Sequence, residues 1–138
     1  GSYLRSPAAS SHSPFSEPGC LLFVKLNQFA ADDRQTLRLS PDSLQWEATA
    51  PGQQQCRLHA HGCEQTLLIE CVGGALLQMP AQDGGELLVL HGALQERGPE
   101  AVAVLPALSW VRDPALTQRR FQALEPSRVL LKLGALRV

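Results

Sequence analysis

The chain has 138 residues, enough to bury one hydrophobic core and too few for two comfortable ones. With 44% hydrophobic and 18% charged residues it is too apolar to be wholly disordered. A formal net charge of -1 provides no long-range field to gather polyphosphate or anionic lipid, so neither nucleic acid nor a lipid surface is an expected partner on charge alone.

No run reaches the ~20 apolar residues of a membrane span, and no basic-then-apolar segment marks a secretory signal. Cys20, Cys56, Cys63 and Cys71 are too few and too scattered for a disulfide framework. An intracellular location, cytoplasmic or nuclear, is the expectation. Only Lys25 and Lys132 are lysines among the twelve cations, and the arginine bias suits bidentate contacts to carboxylates.

Residues 1–19 read as a flexible Ser/Pro-rich leader, with Gly1-Ser2 resembling a tag remnant and Ser6-Pro7 and Ser13-Pro14 as phosphorylation candidates. Residues 20–138 then form a single β domain. Leu21–Val24, continuing as Lys25-Leu26, predicts a first strand. Leu37 and Leu39, then Leu44 and Trp46, alternate with polar residues on either side of Ser40-Pro41-Asp42-Ser43, the pattern of a hairpin.

Alternation resumes at Arg57–His61, and Thr66–Val72 is the next apolar strand. Gly73-Gly74 and Asp83-Gly84-Gly85 predict hairpin turns linking that strand to Ala75–Met79 and on to Glu86–His91, a three-stranded meander. Ala101–Leu105 and Leu108–Val111 read as weaker strands. Asp113-Pro114 is an N-cap followed by proline at the first helical position, so a helix is predicted over 113–124, ended by Glu125-Pro126. Val129–Leu133 is a last strand. Seven or more short strands at this spacing point to a small antiparallel β-sandwich or barrel with one short late helix.

The hairpin Leu37–Trp46 and the late helix together resemble the pleckstrin-homology superfold, a bent barrel plugged by a C-terminal helix. That resemblance implies a ligand- or lipid-binding module. The chain departs from it in the strand that follows the helix from Arg128 and in lacking a Lys-rich phosphoinositide loop.

Two Cys and two His fall within Cys56-Arg-Leu-His59-Ala-His61-Gly-Cys63, the ligand types of a structural zinc site. In an extended strand, however, Cys56 points away from the other three, and same-face neighbours lie ~6.6 Å apart, so no metal and no cofactor is expected. No nucleophile elbow, metalloprotease helix or phosphate loop is present. Glu70 reads as a solvent-facing residue opposite Gln78, and His91 as the base to examine if the chain is an enzyme. Trp46 and Trp110 are in phase with apolar neighbours and are expected in the core.

By elimination the sequence points to a non-catalytic domain for protein–protein interaction or scaffolding, with another protein or a second copy as partner. The expected partner-binding residues are those of the apolar run Val129, Leu130, Leu131 and Leu133, together with Arg119 and Arg120. A ligand-binding barrel and a small enzyme or accessory domain are the alternatives.

Overall fold

The computed structural model describes residues 1–13, 15–98 and 103–136. Pro14 of the Ser13-Pro14 dipeptide, the start of the predicted strand Ala101–Leu105 and the terminal Arg137-Val138 lie outside the described residues. The chain divides into two compact units, Gly1–Ser43 and Leu44–Val138.

In the first unit β1 (Tyr3–Arg5) pairs antiparallel with β2 (Leu37–Leu39), so a short strand stands within the segment read as a leader. Arg5 is held beside Asp33 at 2.7 Å and lies 4.3 Å from the centre of the Phe29 ring, a salt bridge and a cation–π contact on one guanidinium. Leu21–Leu26 is not a strand. A strand needs a hydrogen-bonding neighbour, and within this unit β1 and β2 take each other; Leu21, Leu22, Val24 and Leu26 are exposed. The predicted Leu37–Trp46 hairpin does not form either, because β2 pairs with β1 and Pro41–Ser43 is a turn of 3-10 helix.

The second unit is an antiparallel β-sandwich. Its strands are β3 (Glu47–Ala50), β4 (Gln53–His61), β5 (Glu64–Cys71), β6 (Gly85–His91), β7 (Ala93–Arg97), β8 (Val104–Pro106), β9 (Trp110–Asp113), β10 (Arg120–Ala123) and β11 (Ser127–Leu133). One sheet has the order β3-β4-β5-β11-β6-β9 and the other β10-β7-β8. Leu67, Ile69, Leu87, Val89, Val129, Leu131 and Leu133 from the large sheet meet Leu94, Phe121 and Ala123 from the small one, all essentially buried. Such two-sheet packing removes both inner faces from water.

The predicted meander is replaced by a crossed arrangement. Both edges of β5 are occupied, by β4 and by β11, so the chain leaving Gly73-Gly74 has no room to return beside it. Gly74 N–H instead donates to Ala123 O at 2.7 Å and Leu77 N–H to Phe121 O at 2.9 Å, which lays this segment along β10 in the other sheet. Likewise β6 pairs with β11 and β9.

The predicted helix at 113–124 is absent, although its start signal acts locally. Asp113 Oδ1 accepts the Ala115 N–H at 2.8 Å, and a single 3-10 turn follows at Leu116–Gln118. Arg120–Ala123 then extends to pair with β7, because Phe121 and Ala123 fill the core as alternate residues of a strand. Without a late helix, the resemblance to the pleckstrin-homology superfold falls. The observed fold is mainly β, with eleven strands and no α-helix among the described residues.

Candidate functional site

A polar row crosses the large sheet at one end. Reading directly opposed residues from strand to strand gives Ala48 on β3, Gln54 on β4, Glu70 on β5, Arg128 on β11 and His91 on β6. Ile69, Cys71 and Val129 point into the core, so the alternation of each strand turns Glu70 and Arg128 to the opposite face.

His91 reaches that face through a β-bulge. Val89 opposes Val129 and points inward, and regular pairing would set Leu90 against Arg128 and return His91 to the inner side. The register shifts between Arg128 and Val129, so His91 stands opposite Arg128 and is exposed. A one-residue shift exchanges the faces of a strand, and bulges re-aim side chains in this way.

Gln54, Glu70 and Arg128, the middle of the row, are bonded in series. Arg128 Nε donates to Glu70 Oε1 at 2.8 Å, and Arg128 Nη2 donates to the same oxygen. Gln54 Nε2 donates to Glu70 Oε2 at 2.6 Å, so both carboxylate oxygens are engaged. The Arg128 guanidinium also lies 5.8 Å from the centre of the Trp46 ring. Burial acts most strongly on Glu70 and would raise its pKa, but the bonds from Gln54 and Arg128 and the charge of Arg128 together outweigh it. The carboxyl is held below its usual range and remains ionised. Glu70 therefore faces Gln54 and Arg128, not Gln78 as the sequence led us to expect.

His91 Nδ1 lies 3.3 Å from Pro126 O. A carbonyl only accepts, so Nδ1 carries the proton in this bond and the neutral ring keeps its lone pair on Nε2. On the inner side of the same sheet end, Gln53, Cys71 and Ser127 are buried. Burial pushes the Cys71 thiol up to about 11, so it stays protonated. Gln54, Glu70, His91 and Arg128, with these three and small apolar residues such as Ala50 and Val72, line an open cleft of about 740 Å³.

The residues singled out from the sequence lie elsewhere. Val129, Leu131 and Leu133 are in the core, and Leu130 stands half-buried on the other face between Leu68 and Leu88. Both edges of β11 are hydrogen-bonded within the sheet, to β5 and β6. Arg119 is bound to Glu96 at 2.6 Å and to Asp113 at 3.1 Å, while Arg120 is exposed. A bulge between Arg57 and His59 turns His59 to the face of Cys56, contrary to regular alternation. Cys56 opposes Leu68 whereas His61 opposes Glu64 at the hairpin end, and Cys63 follows in the turn. Among the described residues no group of three or more His, Cys, Asp or Glu side chains is placed to hold a metal ion. Trp46 is only half-buried and Trp110 is 51% exposed, so neither is the core residue expected.

Neither the known protein families nor the curated proteins contain a match to the chain. Solved structures do. KdgF from Halomonas sp. is similar with a TM-score of 0.58 at 19% identity, over 71% of this chain and 92% of that one. An RmlC-like cupin from Shewanella frigidimarina is similar with a TM-score of 0.58 at 14% identity, over 72% of this chain and 90% of that one. A chain in the complex of Rhodobacter sphaeroides SigE with the anti-sigma ChrR gives a TM-score of 0.55 at 20% identity, over 69% of this chain and 52% of that one. That complex names a partner for its own protein and none for this chain.

The solved structures that this chain resembles include RmlC-like cupins, and this overturns the expectation of a non-catalytic interaction, scaffolding or self-associating domain. They also lie against the expectation of a non-enzyme without establishing an activity. No helix among the described residues is long and apolar enough to cross a membrane, and nothing in the fold supports a nuclear location. What the likenesses share with this chain is its fold, that of an RmlC-like cupin β-sandwich.

Proposed function

We propose that the second unit is a small-molecule-binding cupin-fold domain whose ligand occupies the cleft at the end of the large sheet. The observation that carries this reading is the row Gln54–Glu70–Arg128–His91, four polar side chains on four adjacent strands converging on one concavity. A cleft of 300–1,000 Å³ with apolar walls and a few fixed polar groups is the usual form of a ligand site. The row is built on strands, so its geometry is held by the backbone ladder and not by loops.

A library of water-soluble fragments screened by saturation-transfer NMR tests it. Fragments should bind the wild type and Arg120→Trp, and binding should be lost in Ala50→Trp, which fills the cleft. No binder at all, or binders that survive Ala50→Trp, would overturn the reading.

One observation favours a catalytic form of the same reading. The bond to Pro126 O fixes the His91 tautomer with a basic Nε2, as a proton-transferring histidine requires. Chemical change of a bound fragment over hours, abolished in His91→Gln, is the expected sign; binding without turnover would leave a binding domain.

A further inference from the structure

Two fully charged side chains line the cleft, Glu70 and Arg128, and they are spent on each other. Both oxygens of Glu70 accept hydrogen bonds from the row, and Arg128 commits Nε and Nη2 to it. Cys71 adds no charge, because its buried thiol stays protonated. From this balance we infer that the cleft selects an uncharged, polyhydroxylated molecule of sugar size over its anionic and cationic analogues; the inference rests on the cleft being the ligand site.

An anion that approaches Arg128 meets Glu70 beside it, and a cation that approaches Glu70 meets Arg128 beside it, so neither finds an unopposed charge. Each ion is repelled by one partner about as strongly as it is drawn to the other, whereas a neutral molecule leaves the partly exposed pair undisturbed. The hydrogen-bonding capacity that remains is mixed. Arg128 Nη1 offers donors, while Gln54 Oε1, the spare lone pairs of Glu70 and His91 Nε2 offer acceptors. A hydroxyl is donor and acceptor at once and meets either kind. Between these groups Ala48, Ala50, Val72 and Pro126 present small apolar surfaces suited to the C–H faces of a polyol ring.

Matched triads test this directly: D-glucose, D-glucuronate and D-glucosamine, and the corresponding galactose set, titrated against the full chain by saturation-transfer NMR at pH 7. The neutral member of a triad should bind the wild type about fivefold more tightly than either charged member, the scale of a partly exposed ion pair. Glu70→Gln frees Arg128 and should move the preference to the uronate. Arg128→Gln frees Glu70 and should move it to the amino sugar, which keeps the test open if one variant fails to fold by circular dichroism. Tighter binding of a charged member to the wild type would overturn the inference and leave the cleft reading standing. No binding by any sugar, combined with no fragment binding in the cleft, would overturn both.

Discussion

Gln53 and Gln78 exchange two hydrogen bonds: Gln53 Nε2 donates to Gln78 O at 3.0 Å, and Gln78 N–H donates to Gln53 Oε1 at 2.8 Å. A side chain here does for the backbone of Gln78 what a neighbouring strand would do. The Gln53 amide is buried and also reaches Thr49 Oγ1 at 3.0 Å, so one residue ties the floor of the cleft to the segment after β5.

Gln53→Leu should therefore destabilise the domain by about 1–3 kcal/mol, the cost of leaving backbone groups unsatisfied. Urea unfolding followed by circular dichroism measures it. A change below a few tenths of a kcal/mol would mean that water replaces the amide without loss.

Gly92 sits at the corner where β6 gives way to β7, with φ +77 and a would-be Cβ only 2.6 Å from Pro126 O. Gly92→Ala meets a left-handed backbone penalty of about 1–2 kcal/mol and a backbone clash in addition. It should lower the unfolding midpoint and, by displacing Pro126, weaken the bond that fixes His91. Gly98→Ala, with open space around its Cβ, is the control and should change stability little.

Acid sensitivity follows from Glu70 and Glu96. Arg119 bonds Glu96 and, against some opposing burial, holds its carboxyl below the usual range; Glu70 is lowered as described. Carboxyls with depressed folded pKa values stabilise the fold above the unfolded pKa of about 4.3, and that contribution is lost as pH falls through the folded value. Wild-type stability should fall between about pH 5 and pH 3, and the fall should be shallower in Glu70→Gln. The pair is partly exposed, so the difference should be about 1 kcal/mol or less and smaller still in high salt. Parallel pH profiles for both proteins would count against the pairing.

The thiols divide by burial. Cys20 and Cys63 are exposed, whereas Cys56 and Cys71 are buried. A thiol reagent at pH 8 should label two cysteines in the folded protein and all four in urea, with Cys71 protected further by its raised pKa of about 11. Mass spectrometry of the labelled peptides reads this, and rapid native labelling of Cys71 would contradict the buried floor of the cleft.

Strand content was legible because apolar runs such as Leu67–Ile69 and Leu87–Val89 have no other use in a chain of this length. Strand partnership was not. Gly73-Gly74 has the composition of a hairpin turn, and what defeats it is the arrival of β11 beside β5, fifty residues later in the chain. Asp113-Pro114 begins a helical turn as its chemistry dictates, but the pairing of β10 with β7 overrides it by Arg120. The cleft was hidden for the same reason. Glu70, Arg128 and His91 share a row only through registers set by the central strand, and His91 joins it through a bulge that leaves no signal in residue types.

Placing β11 at the centre of the large sheet also bears on how the domain folds. Its two neighbours, β5 and β6, have no pairing with each other, so the halves β3-β4-β5 and β6-β9 of this sheet are joined only through β11, the last of the described strands. Contacts of such long sequence separation are slow to form because loop closure precedes any gain from pairing. Until β11 is in place the apolar edges of β5 and β6 stand open, and the domain is most vulnerable to aggregation just before β11 inserts.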